Sequence, residues 1–194
     1  MLAANEATIE QVADRIAELQ RACCMTGAGI SAESGVPTFR GAGGLWDGQR
    51  AEELATPEAF ARDPQRVWAF YNHRRSNLRS IEPNPAHYAC VELEDFFQQW
   101  WLISQNVDGL HRQAGSRSVV ELHGNIWTVR CTACAQEFDK TGQILPDEPL
   151  CGSCGALLRP AVVWFGEALP EAALVAANQA LESCQVMLVV GTSS

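Results

Sequence analysis

Cys131-x-x-Cys134 and Cys151-x-x-Cys154 place four thiols in two tight pairs with sixteen residues between the pairs. Four thiolates at this spacing close a tetrahedral shell around Zn²⁺, and a shell with no open position is structural rather than catalytic. A rubredoxin-like iron site and a pair of redox disulfides are the other chemistries the pattern allows. Upstream, the stretch from Thr26 to Arg40 reads TGAGISAESGVPTFR, and Gly27-Ala28-Gly29-Ile30-Ser31-Ala32 fits G-x-G-x-x-[GA]. Missing side chains in such a loop let backbone N–H groups approach a diphosphate. The plainer reading is a flexible turn between strand and helix. An ordinary dehydrogenase would carry a ribose-binding acid at the end of a second strand ~20 residues on, but Glu52 and Glu53 fall in a helical region. His123 stands at a strand end in Glu121-Leu122-His123-Gly124. A neutral imidazole at that place can accept a proton from a sugar hydroxyl. His73, His87 and His111 lack this placement, and His87 is better suited to pinning the Pro83-Asn84-Pro85 turn.

The elements that must position these groups are legible in outline. Ile9, Val12, Ile16 and Leu19 recur at helical spacing, with Thr8 and Gln11 as a capping box, so a helix leads into a strand over 22–25 and then the glycine loop. Thr56-Pro57 and Asp63-Pro64 each put a capping side chain before a proline, which predicts two helix starts, the second helix running to about residue 79. A further helix is expected over 86–97. Strands follow over 100–104, ending in Gln105-Asn106, and over 118–122, ending in His123-Gly124. Chemistry at the carboxyl ends of strands is where open α/β sheets bind ligands. After 130–159 interrupts this pattern, a helix over 170–183 and a strand over 185–190 complete it. Cys23, Cys24, Cys90 and Cys184 sit in apolar surroundings as packed thiols.

Composition excludes other classes. With 194 residues, 47% of them apolar, the chain buries a real core, and its net charge of −9 repels nucleic-acid backbones and anionic membrane surfaces. No apolar run approaches the ~20 residues of a membrane span. The N-terminus carries Glu6, Glu10 and Asp14 and lacks the features of a signal or transit peptide, so a cytoplasmic location is expected.

Six motifs stand in a fixed order: Gly27 to Ser31, Thr38-Phe39-Arg40, Gln105-Asn106-Val107-Asp108, Leu122-His123-Gly124, the paired CxxC motifs, and Val163-Trp164-Phe165-Gly166-Glu167. In this order the chain resembles the sirtuins, the NAD-dependent protein lysine deacylases, from about Arg21 to Ser194. The resemblance implies a Rossmann-like parallel-sheet α/β domain, 1–129 and 160–194 with a helical insertion over about 45–80. A small zinc-ribbon domain, 130–159, is inserted in it. It further implies that Gly27, Ala28, Gly29 and Ser31 cradle the NAD diphosphate, that Phe39 and Arg40 close over the cofactor, and that Gly191, Thr192 and Ser193 complete its site. Asn106 and Asp108 would hold the nicotinamide carboxamide and ribose, Gln105 would contact the ribose, and His123 would act as general base on a ribose hydroxyl. Acyl-lysine protein would pair with the backbone over Val163, Phe165, Gly166 and Glu167. The chain stops at Ser194, where sirtuins continue, so the C-terminal part of the Rossmann-like domain is expected to be missing and cofactor affinity to be poor.

Tyr71 and Arg74 are three residues apart on a predicted helix and share a face. An arbitrary Tyr-x-x-Arg is a surface pair. Sirtuins that remove succinyl, malonyl or glutaryl groups resemble this chain here and carry a small residue where Ala42 stands. The resemblance therefore implies a preference for acidic acyl chains, with some deacetylation. Two rival classes would use the same residues: a mono-ADP-ribosyltransferase, and a non-catalytic reader of acylated peptides.

Overall fold

A computed structural model describes residues 6–38 and 54–192. Phe39, Arg40, Ala42 and Ser193, for which contacts with cofactor or acyl group are expected, lie outside the described residues. The first half runs α1 (Glu6–Ala17), β1 (Arg21–Thr26), a 3-10 helix (Ala28–Ser34), α2 (Pro57–Arg62), α3 (Pro64–Leu78), α4 (Pro85–Phe96) and β2 (Gln99–Ser104). The second runs α5 (Leu110–Ala114), β3 (Val119–Glu121), β4 (Gly124–Cys131), β5 (Glu137–Asp139), β6 (Leu158–Val162), α6 (Glu171–Ser183) and β7 (Val186–Val190).

Strands β3-β2-β1-β7 form a parallel sheet in that order. Both faces are covered, which is why β1 and β2 read as continuous apolar runs rather than alternating ones. Ala22, Cys24 and Leu102 pack on one side against Cys90 and Phe97 of the α4 region and Ile30, while Cys23 and Ile103 pack on the other against Ala177 and Ala180 of α6. Burying a side chain the size of Leu102 contributes about 1.5–3 kcal/mol. The helix starts follow local chemistry: the Thr56 hydroxyl accepts from Ala59 N at 3.1 Å and Asp63 Oδ1 from Arg66 N at 3.0 Å, each ahead of a proline. Helix α1 corrects one expectation. It already begins at Glu6, so Thr8 is inside it and does not cap it, and Ile9 and Val12 face solvent while Ile16 and Leu19 join the core.

The second sheet is antiparallel, β5-β4-β6, and spans the two cysteine pairs. Helix α3 clamps it. Trp68 Nε1 donates to Leu158 O at 2.8 Å, and the buried Arg75 guanidinium donates to the carbonyls of Ile126, Lys140 and Gln143. Gly124, at φ +75°, starts β4, and a Cβ there would lie 2.0 Å from the Ala161 carbonyl oxygen. Only glycine fits, so the residue after His123 lets the start of β4 lie close against β6.

Candidate active site

The parallel register builds the site. Thr26 pairs with Ser104 and Val190, and Ser104 with Glu121, so β1, β2, β3 and β7 all end at one edge. Gly27, Gln105, Leu122-His123 and Gly191 therefore leave the sheet side by side. The glycines have a use beyond any ligand: a Cβ on Gly27 would lie 2.6 Å from Thr192 Cβ, and one on Gly29 2.8 Å from Gly191 O. Gly27 N and Gly29 N already donate to Val190 O and Gly191 O. Bareness here first lets the turn after β7 lie against the turn after β1, a contact the sequence pattern did not reveal.

Beneath that turn lies a buried polar network centred on Ser31. Asn84 N donates to His87 Nδ1, so the neutral ring carries its proton on Nε2, which faces Ser31 Oγ at 3.4 Å. Asn106 Nδ2 donates to Ser31 Oγ and to Gly27 O, both at 3.1 Å. With its lone pairs taken by two donors, the Ser31 hydroxyl gives its own proton to Asp108 Oδ2 at 2.8 Å. Asp108 Oδ1 accepts from Leu110 N, and Trp127 Nε1 donates to the Asp108 carbonyl. His111 Nε2 meets the Thr26 hydroxyl at 2.9 Å, its ring edge-on to that of His87. Burial lowers both imidazoles, His111 to about 4 with His87 adding to the shift, so both are neutral at pH 7. His87 does pin the Pro83-Asn84-Pro85 turn as expected, but it also reaches the site, a role the sequence reading missed.

His123 Nδ1 lies 2.7 Å from the Gln105 carbonyl oxygen. A carbonyl only accepts, so Nδ1 holds the proton and Nε2 keeps a free lone pair. Gln105 Nε2 in turn reaches Thr192 Oγ1 at 3.2 Å, which links the histidine to the turn after β7. An amide, a carboxylate, a hydroxyl and an imidazole base thus converge around one edge, a donor and acceptor set that suits a sugar and a carboxamide.

On the other side, Val163 N donates to His123 O and Phe165 N to Ala55 O, so the 163–167 segment is fastened to the histidine turn. Glu167, whose backbone is among those expected to pair with substrate, turns its carboxylate inward. It accepts from Arg159 at 2.6 and 2.9 Å and from Trp164 N at 2.8 Å, with the Arg159 guanidinium 3.4 Å from the Trp164 ring centroid. Burial works to raise the Glu167 carboxyl, but Arg159 and the Trp164 N–H outweigh it and hold it low. Trp164 Nε1 donates to the Tyr71 hydroxyl at 2.9 Å, which ties α3 to the same segment.

The four cysteine sulfurs all lie within 4.8 Å of one another, with Cys131–Cys154 at 3.4 Å and Cys134–Cys151 at 3.8 Å. A tetrahedron with Zn–S bonds of about 2.3 Å has edges of about 3.8 Å, so the set fits Zn²⁺. Backbone N–H groups of Cys134 and Ala133 point at the Cys131 sulfur and lower its thiol to about 6, which favours the thiolate. Cys131 and Cys151 are buried against the core, and Cys131 ends β4 whereas His123 directly precedes its first residue.

The Sir2 family model matches residues 27–194. The chain belongs to the Sir2 family. An NAD-dependent protein deacylase of Pyrococcus furiosus is 54% identical over 189 residues, 94% of this chain and 76% of the relative. Among solved structures, an ADP-ribose complex of a Sir2 homologue variant superposes with a TM-score of 0.89 at 49% identity, covering 95% of this chain and 74% of the other. A Sir2 homologue in complex with NAD superposes with a TM-score of 0.84 at 48% identity, over 95% and 72% of the two chains. The Sir2 fold, with its parallel Rossmann-like sheet and clustered cysteines, is the expected one.

Proposed function

We propose that this chain acts as an NAD-dependent protein lysine deacylase favouring acyl groups that end in a carboxylate, succinyl and malonyl, over acetyl, and that Cys131, Cys134, Cys151 and Cys154 hold a structural Zn²⁺. Relatives named as NAD-dependent protein deacylases support the reaction. NAD, when bound, would supply an electrophilic ribose carbon with nicotinamide as its leaving group. The residues supply orientation and proton transfer. Asn106 and Asp108 are held by Ser31 and the loop carbonyl of Gly27, so they present fixed polar groups to a carboxamide and a ribose hydroxyl. His123 Nε2 takes the hydroxyl proton. The backbone of residues 163–167, stiffened by the Arg159–Glu167 pair, offers an edge for an extended peptide.

Arg74 carries the acyl preference. It is half-buried, its guanidinium 5.7 Å from the Phe70 centroid and 5.8 Å from that of Tyr71, and among the described residues no carboxylate pairs with it. Burial pushes the guanidinium down while Tyr71 and Asp108 pull it back up, so this cation lies within electrostatic reach of the Asp108 network. Beside it the buried Tyr71 hydroxyl, kept protonated by burial, accepts from Trp164 and has its own proton to give. A cation and a hydroxyl donor in a partly dry setting suit a terminal carboxylate, each charge-assisted bond contributing roughly 1.5–3 kcal/mol. Arg74→Met is expected to lower kcat/KM on a succinyl-lysine peptide by about 10- to 150-fold, the factor equivalent to one such bond. Turnover of the acetyl peptide should stay close to that of the parent. Equal losses on both peptides would remove the basis for the acyl preference.

A further inference from the structure

Two thiols outside the cysteine quartet stand in contact on the face of the parallel sheet that α6 covers: Cys23 Sγ lies 3.4 Å from Cys184 Sγ. Cys23 is in the middle of β1 and fully buried, whereas Cys184, which caps the C-terminus of α6, is partly open to solvent. The Cys23 thiol donates toward the Cys184 sulfur, and Cys184 in turn donates to Leu181 O at 3.5 Å, so each proton has its own acceptor. Neither residue takes part in the network around Ser31 or in the cysteine quartet.

We infer that Cys23 and Cys184 form a reversible disulfide under hydrogen peroxide, and that this pair is an oxidative modification site tying β1 to the end of α6. The partly exposed Cys184 reacts first. Its thiolate attacks one peroxide oxygen, the O–O bond breaks, hydroxide leaves, and a sulfenic acid forms. The Cys23 sulfur then attacks the Cys184 sulfur, an S–S bond forms, the S–OH bond breaks, and water leaves with the Cys23 proton. The two thiols lose two electrons and two protons in total, and peroxide is reduced to two waters. Buried Cys23 meets the oxidant only through its neighbour, which gives the order of events. The bond would close the 160 residues lying between the two positions and anchor the strand that leads into Gly27.

The other packed pair is an internal control. Cys24 and Cys90 sit in one cluster at 1% and 4% exposure, sealed from solvent, so peroxide has no route to them. The inference rests on thiol contact and access and is independent of the proposed deacylase activity.

The test treats the purified full chain with equimolar hydrogen peroxide, alkylates the remaining thiols, and maps disulfides by mass spectrometry after digestion. The expected result is a linked peptide joining the segments with Cys23 and Cys184, lost on treatment with dithiothreitol. The link should persist in Cys24→Ala and vanish in Cys23→Ala and in Cys184→Ser. A Cys184 that ends as sulfinic acid, that stays free to alkylate, or that links to Cys24 would overturn the inference.

Discussion

Replacing His123 with alanine is expected to lower kcat/KM for deacylation by about 10²- to 10⁴-fold, the range for loss of a positioned general base. The geometry leaves little choice of role for this ring. Its Nδ1 is committed to the Gln105 carbonyl at 2.7 Å, so the only free lone pair is on Nε2. Stability should change far less, because the ring is partly exposed and gives up one hydrogen bond, a net loss of about 1 kcal/mol. Steady-state rates with an acyl-lysine peptide and NAD, set beside thermal melts of the same samples, separate the two effects. A variant that melts like the parent and turns over within tenfold of it would remove His123 from the chemistry.

Zinc removal is expected to act on structure instead. Zinc-finger peptides bind the ion with an apparent ~10–16 kcal/mol, and here a bound ion would tie the cysteine ends of a three-stranded sheet whose buried residues pack on α2 and α3. A strong chelator, or Cys131→Ser, should release one zinc per chain and abolish amide protection across residues 124–162. Activity should fall as well, because Val163 N is bonded to His123 O and the histidine turn leans on that sheet. Metal analysis with hydrogen exchange checks both. Unchanged protection after complete chelation would show that packing alone sustains the module.

What could be read from the sequence was local. Thr56-Pro57, Asp63-Pro64 and the pinning of the Pro83-Asn84-Pro85 turn by His87 act within one helical turn, and all three appear as expected. The order of motifs also put His123 and the glycine loop at strand ends, and a parallel register brings strand ends together. The network was not legible because its partners are far apart in sequence: Ser31 is 56 residues from His87 and 77 from Asp108. The same holds for Gly27 and Gly29, whose bareness answers to a turn at Gly191. The pairing of the Glu167 carboxylate with Arg159 was not legible either, because nothing in the sequence marked the two as partners. Helix α5, five residues long, is too short to show a period.

The joint placement of His123, Asn106 and Asp108 at one sheet edge is tested most directly by mass spectrometry of a succinyl-lysine peptide incubated with NAD and the chain. Free peptide, nicotinamide and O-succinyl-ADP-ribose in equal amounts are the expected products. Intact NAD beside unchanged peptide, or ADP-ribose attached to the protein itself, would contradict the proposed chemistry.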